Sequence, residues 1–158
     1  TIRINGRITN ATQLRAAWPT VSYVRQQSFF IHDTILRNIT LDEEGYDEKR
    51  LAFAIEASGL SEMLSGFSEG IYKVLTENGR NISGGQQQRI SIARALYKDA
   101  GLFLLDEPFN ELDESSERKL LERFKEITEA GRIVIMITHH RSSLALCTKT
   151  ISLDNEQA

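Results

Sequence analysis

The sequence predicts an α/β fold in which a parallel-sheet core carries an inserted helical lobe. Residues 102–105 (Leu-Phe-Leu-Leu) and Ile133–Ile137 are short, wholly apolar runs, the pattern of parallel strands buried on both faces. Between them, residues 113–130 form an amphipathic segment in which Leu120, Leu121, Phe124 and Ile127 recur at helical spacing and face inward. Strand, helix and strand in that order make a right-handed crossover, and repeating it builds a parallel layer.

Each element follows from its local pattern. Residues 1–8 alternate, with Ile2, Ile4 and Ile8 on one parity, and predict a half-buried strand interrupted by a turn at Asn5-Gly6. Val21, Tyr23 and Val24 predict a second strand after Trp18-Pro19. From about residue 33 to 98 the pattern is helical; Leu51, Ala54, Ile55 and Leu60 share a face, and Gly59 and Gly66 punctuate. A long helix opens at Ser83, with Ile90, Ala93 and Tyr97 as its packing stripe. In the 113–130 helix Glu114 and Arg118 form an outward i,i+4 pair, and Gly131 ends it. A short helix then leads to a last strand at residues 150–153. Residues 27–98 are thus expected to be the lobe, and 1–26 with 99–158 the core sheet and its helices.

Composition narrows the function classes. The 158 residues suit one domain, and 41% apolar with 26% charged residues excludes a disordered chain. A net charge of −3 without a Lys/Arg stripe argues against nucleic acid as the partner. No apolar stretch approaches the ~20 residues of a membrane helix. The single Cys147 forms no internal disulfide, which favours a reducing compartment, and it reads as a small buried hydrophobe. Trp18 reads as packing, and the Glu-rich face of residues 111–129 as solvated surface. No Cys/His spacing supports a zinc site. The chain opens at Thr1, with no initiator Met and already inside a strand pattern, so it reads as a piece of a longer protein.

Two constellations carry chemistry. Ser83-Gly84-Gly85-Gln86 opens a helix with the spacing of a capping box. Glycines in a first turn cost roughly 1 kcal/mol each against Ala, and their benefit is bare N–H groups that an anion can approach at the positive helix end. Asp106-Glu107-Pro108 follows the apolar run 102–105, at the carboxyl end of a strand, where α/β sheets place ligands. An Asp there can hold Mg²⁺, and the adjacent Glu can orient or deprotonate water. Thr138-His139-His140 ends the next strand with an imidazole, a group that can accept or donate a proton.

Ile82-Ser83-Gly84-Gly85-Gln86-Gln87-Gln88-Arg89, followed by Ile92-Ala93-Arg94-Ala95-Leu96, resembles the LSGGQ signature of the ATP-binding-cassette (ABC) ATPases, with Ile82 in place of Leu. The resemblance implies a P-loop NTPase core incomplete on its N-terminal side, with an inserted signature subdomain. It implies that Ser83, Gly84, Gly85 and Gln86 contact the γ-phosphate of ATP held by the opposite protomer. Asp106 would match the Walker B Asp, a Mg²⁺ ligand, and Glu107 the catalytic Glu. His139 would match the switch His, and Gln26 the Q-loop Gln, a ligand of Mg²⁺ and water; Gln27 takes that place if the register slips by one. Asn110-Glu111-Leu112-Asp113 falls at the D-loop, usually S-A-L-D, through which the two protomers touch, so Asp113 matches while Asn110 and Glu111 depart. His140 stands where Arg is common and takes no role.

The stretch Phe29-Phe30-Ile31, Thr34-Ile35 and Asn38-Ile39 resembles the region after the Q-loop in exporters, a docking surface for a coupling helix. Thr76-Glu77-Asn78-Gly79 resembles the exporter X-loop, with Glu77 as its characteristic residue. The implied protein is an exporter-type transporter motor with ATP and Mg²⁺. Its partners would be a second nucleotide-binding domain and a transmembrane domain, at the cytoplasmic face of a membrane, and no nucleic acid. The alternatives are a soluble ABC-type ATPase of repair or translation, and a non-catalytic, signature-donating fragment. No GxxxxGK[ST] phosphate loop occurs in the sequence, so the chain alone is expected to be inactive, with an apolar flank of its sheet exposed.

Overall fold

The computed structural model of the chain describes residues 2–4, 6–42 and 45–152. Ile2–Ile4 (β1) and Arg7–Thr9 (β2) pair antiparallel across a turn at Gly6, whose φ of +78° needs a glycine. Ile8 is exposed, so the expected half-buried parity fails there. Thr1, Asn5 and the side chains of Ile2 and Ile4 lie outside the described residues. A short helix, α1 (Ala11–Ala17), starts on a capping box between Asn10 and Gln13. Trp18 follows in a 3₁₀ turn and is exposed, not packed, which corrects the sequence reading.

Val21–Val24 (β3) then leads into the helical region: α2 (Ile35–Thr40), α3 (Glu48–Ala57), α4 (Leu60–Ser65) and α5 (Gly84–Tyr97). Leu102–Asp106 (β4), α6 (Glu114–Glu129), Ile133–Ile137 (β5) and α7 (Arg141–Leu144) complete the order. The strands β3, β4 and β5 lie side by side and all parallel. Val21, Leu102 and Ile133 share one register line, and Val24, Leu105 and Met136 another. The three carboxyl ends therefore fall on one edge, from which the turns bearing Gln26, Asp106-Glu107 and His139 leave. Residues 150–152 form no strand, and Leu153 lies outside the described residues, so the predicted last strand is not supported.

Among the described residues, α5 and α6 pack on one face of this sheet. Val24, Phe103 and Leu105 are buried under α5 and α6, with Val134 and Met136 packed beside them. Phe103 meets Phe124 of α6 edge-on at 6.1 Å, and truncating either to Ala would cost roughly 3–5 kcal/mol. Ser22, buried on the same strand as Val24, donates to the Ala95 carbonyl of α5 at 2.9 Å. On the other face Ile133, Ile135 and Ile137 are 60%, 52% and 62% exposed. The expectation that this strand is buried on both sides is overturned: among the described residues no side chain covers these three isoleucines, which are more than half exposed. The exposed apolar flank is present as expected.

α5 joins the two parts of the molecule. Ile90, Ile92, Ala93, Ala95 and Leu96 are buried, packing on α2 and α3 and on β3. Arg94, on the same helix, reaches the opposite wall: its Nε donates to the Asn38 carbonyl at 2.6 Å, its Nη1 to the Phe29 carbonyl at 2.9 Å, and its guanidinium lies over the Phe30 ring. Burial lowers its pKa to about 10, which still leaves it charged near neutral pH. Asn38 is itself fully buried; its side chain bonds both the N–H and the carbonyl of Ile31 and knots the loop before α2. One hydrophobic cluster runs from Phe30 and Leu60 to Leu105 and Phe124.

Along α6 the inward Leu120, Leu121 and Phe124 are buried and Ile127 packs against them, as the periodicity requires. Arg118 turns to Glu122 at 3.4 Å rather than back to Glu114, and Arg123 to Glu126 at 2.7 Å. Both are surface pairs of little stabilising value. Cys147 is exposed, its thiol donating to the Ser143 carbonyl at 3.4 Å, so it is no core residue. Among the described residues no helix is long and apolar enough to cross a membrane.

Candidate functional site

At the end of β4, Asp106 Oδ2 accepts a hydrogen bond from the Tyr23 hydroxyl of β3 at 3.2 Å. Glu107 leaves the strand with φ of +48°, a left-handed conformation that costs a non-glycine residue about 1–2 kcal/mol. Its N–H still donates to the Ile137 carbonyl of β5 at 2.9 Å, so the turn is tied to the next strand. That twist carries the side chain to His139: Glu107 Oε1 lies 2.8 Å from His139 Nδ1. The carboxylate is mostly buried, at 17% exposure, and its Oε2 has no protein partner. An ionised Glu107 accepts from Nδ1–H, which in the neutral ring leaves Nε2 as an acceptor facing outward. The left-handed backbone, the buried carboxylate and the exposed imidazole thus meet at the strand ends.

The signature segment is built as its spacing requires. Ser83 Oγ accepts from Gln86 N at 3.3 Å and Gln86 Oε1 from Ser83 N at 2.9 Å, the reciprocal capping box. Gly84 and Gly85 form the first turn of α5 and are partly exposed. The loop after β4 lies close to both. A Cβ on Gly84 would meet the Glu111 carboxylate at 2.6 Å, and one on Gly85 the Glu111 carbonyl at 2.8 Å. At Gly85 the close backbone of residue 111 itself requires glycine, whereas at Gly84 the neighbour is a movable side chain.

The exposed Gln26 and Gln27 follow β3 and, with Ser28, line a cleft of about 350 Å³ whose far wall is Gly84, Gln87, Gln88 and Glu111. Gln88 is buried, and its Nε2 is unpartnered. The cleft brings Gln26 to the signature helix. No hydrogen bond or ion pair joins this group to Asp106, Glu107 and His139 among the described residues. Asp113 is drawn into its own chain: it caps α6, accepting from Ser116 N at 3.0 Å and Ser116 Oγ at 2.6 Å. The Ser116 hydroxyl and amide, in that order, hold its carboxyl below the usual carboxylate range. Arg89 of α5 bridges to Ser116 and to the carbonyls of Ser58 and Gly59. Glu77 is exposed in a 3₁₀ turn. Phe29 is exposed, and Phe30, Ile35 and Ile39 are core.

Sequence reasoning missed two residues. Tyr23 reaches Asp106 from the neighbouring strand, and no local pattern announces it. Glu117, grouped above with solvated acids, is 5% exposed. It accepts from Ser142 Oγ at 2.6 Å and Ser143 Oγ at 2.9 Å, and its Oε2 lies 3.2 Å from His140 Nδ1. Its signal was available: position 117 continues the stripe of 120, 121 and 124 one turn towards the N-terminus.

The family model described as ABC transporter matches residues 1–110. An ATP-dependent lipid A-core flippase of Cupriavidus pinatubonensis is 32% identical over 157 residues, covering 98% of this chain and 26% of the flippase. A probable ABC transporter ATP-binding/permease protein of Haemophilus influenzae is 29% identical over 154 residues, covering 98% of this chain and 28% of that protein. Among solved structures, a bacterial Atm1-family ABC exporter with ATP bound superposes with a TM-score of 0.76 at 30% identity, covering 85% of this chain and 23% of the exporter. The chain thus spans about a quarter of the length of these proteins. With the signature at the start of α5, the carboxylate pair at the end of β4 and the family model over residues 1–110, the chain belongs to the ABC transporter family.

Proposed function

We propose that this chain is part of the ATP-hydrolysing motor domain of an exporter-type ABC transporter. It works in a pair with a second nucleotide-binding domain and is joined to a transmembrane domain at the cytoplasmic face of a membrane. The observation that carries the reading is the Glu107–His139 contact at the strand ends, one residue beyond Asp106.

In this mechanism ATP is the substrate, and the chain supplies groups to two sites. Glu107 accepts a proton from the attacking water, its carboxylate oriented by the contact of Oε1 with His139. His139, exposed beyond that contact, would donate from Nε2–H to the γ-phosphate, a role that needs its ring protonated on both nitrogens. The donor set suits Mg²⁺: Asp106 offers hard carboxylate oxygens hydrogen-bonded to Tyr23, and the exposed Gln26 offers an amide oxygen. Among the described residues no group of three or more His, Cys, Asp or Glu side chains is placed to hold a metal ion. Bound there, Mg²⁺ would neutralise charge on the phosphates.

Ser83, Gly84, Gly85 and Gln86 serve the partner domain's nucleotide, the positive end of α5 supplying backbone N–H groups to its phosphates. Asp113, exposed at the cap of α6, is assigned to the contact with that partner. The division into residues 27–98 and the flanking core belongs to the same reading, as do the coupling surface around Phe29 and the exporter mark Glu77. Because no GxxxxGK[ST] occurs in the sequence, these 158 residues alone hold ATP weakly and do not turn it over.

Two measurements test this. Calorimetry of the chain alone should show no tight ATP binding, and micromolar affinity would contradict the inactivity of the isolated piece. In the intact transporter, Ser83→Arg should leave ATP binding in place and abolish hydrolysis, since the signature acts on the opposite nucleotide. Unchanged hydrolysis would sink the two-site reading.

A further inference from the structure

Glu117 is a carboxylate on a core position, and burial of a charge needs a reason. All three of its partners, His140, Ser142 and Ser143, lie within one short segment that begins directly after His139. That segment is closed on itself as well. His140 N donates to Thr138 Oγ1 at 3.0 Å, and Ser143 N to the His140 carbonyl at 3.2 Å. The His139 and His140 rings stack edge to face at 4.7 Å. The exposed His139 ring is held by this segment and by Glu107 itself.

We propose that Glu117 is a positioning residue: by gripping His140, Ser142 and Ser143 it sets the backbone and ring orientation that bring His139 Nδ1 onto Glu107. It touches neither the nucleotide nor the reacting water. Its own place is fixed one helical turn earlier, where Asp113 and Ser116 cap α6 and Ser116 meets Arg89 of the signature helix. The first turn of α6 is therefore the part shared between the signature helix and the histidine. The catalytic consequence rests on the reading above, that Glu107 and His139 form the hydrolytic centre; the positioning itself does not.

Histidine ¹⁵N spectra of the chain separate the two. Glu117→Met fills the volume while removing the acceptors, and Glu107→Ala defines the signal of a released His139. The Glu117→Met spectrum should show the His139 ring signals moved to those of Glu107→Ala, in a protein that still melts cooperatively. Wild-type His139 signals in the folded variant would overturn the proposal. Should Glu117→Met not fold, the double variant Ser142→Ala, Ser143→Ala decides by the same criterion. In the intact transporter, Glu117→Met should lower kcat about 100-fold at unchanged KM, as expected of a misplaced group. If His139→Ala leaves hydrolysis intact, the hydrolytic reading fails while the spectra still judge the positioning.

Discussion

Glu107 and His139 stand 32 residues apart in the sequence and meet at 2.8 Å, because parallel pairing sets β4 beside β5 and a left-handed turn ends β4. The contact is thus a product of the sheet register. A one-residue slip in that register would place both side chains on opposite faces.

His139→Ala in the intact transporter should lower kcat by about 10²–10⁴, the range for loss of a positioned proton-transfer or charge-stabilising group. Steady-state ATP hydrolysis checks this, with ATP binding measured in parallel. A kcat within a factor of about two of wild type would remove His139 from the centre.

The two signature glycines should differ in cost. A Cβ on Gly85 meets the Glu111 backbone carbonyl, which cannot step aside, so Gly85→Ala should destabilise by roughly 1–3 kcal/mol. A Cβ on Gly84 meets the end of the Glu111 side chain, which can swing away, so Gly84→Ala should cost less. Glu111→Ala should relieve Gly84→Ala and leave Gly85→Ala unrelieved. Urea unfolding of the chain measures all three; equal costs would mean that the loop does not pack as described.

Stability should depend on pH through Glu117. Burial alone would raise its pKa, but donation from Ser142, His140 and Ser143 outweighs burial and holds it below its ordinary 4.5. A depressed carboxylate takes up its proton more readily in the unfolded chain. Its stabilising contribution is therefore complete above about pH 4.5 and is lost as pH falls through the folded value. The Tm difference between wild type and Glu117→Gln should be largest near neutrality and shrink below pH 4.5. A difference constant across that range would show that the carboxylate charge plays no part.

The bare face of β5 should make the isolated chain self-associate, since Ile133, Ile135 and Ile137 form a contiguous exposed apolar strip. Ile135→Lys, pointing into solvent, should suppress association without lowering Tm. Sedimentation velocity over a concentration series reads both proteins, and a wild-type monomer throughout would contradict the expectation.

Most of this fold is legible in local pattern. The apolar runs named β4 and β5, the stripe of α6 and the Ser83–Gln86 capping box all stand where spacing puts them, because each is decided by a few adjacent residues. What escaped depends on neighbours distant in sequence. Ile133 and Ile135 have the composition of a two-sided strand, yet they lie more than half exposed, which depends on elements distant in sequence. Trp18 and Cys147 are hydrophobic by type yet exposed, and residue type alone does not tell where a side chain ends. At the site, Asp106, Glu107 and His139 stood out as strand-end polar residues. Tyr23 and Glu117 did not, since each acquires its role from an element that lies beside it only after folding.

The central claim, that Glu107 is the proton acceptor of the hydrolytic centre, is tested most directly by single-turnover ATP hydrolysis in the intact transporter carrying Glu107→Gln. This substitution keeps the shape of the side chain and removes its basicity. The predicted result is ATP bound as in wild type but hydrolysed at least about 100-fold more slowly, with nucleotide trapped unhydrolysed between the two domains. Hydrolysis at the wild-type rate with normal binding would contradict the account.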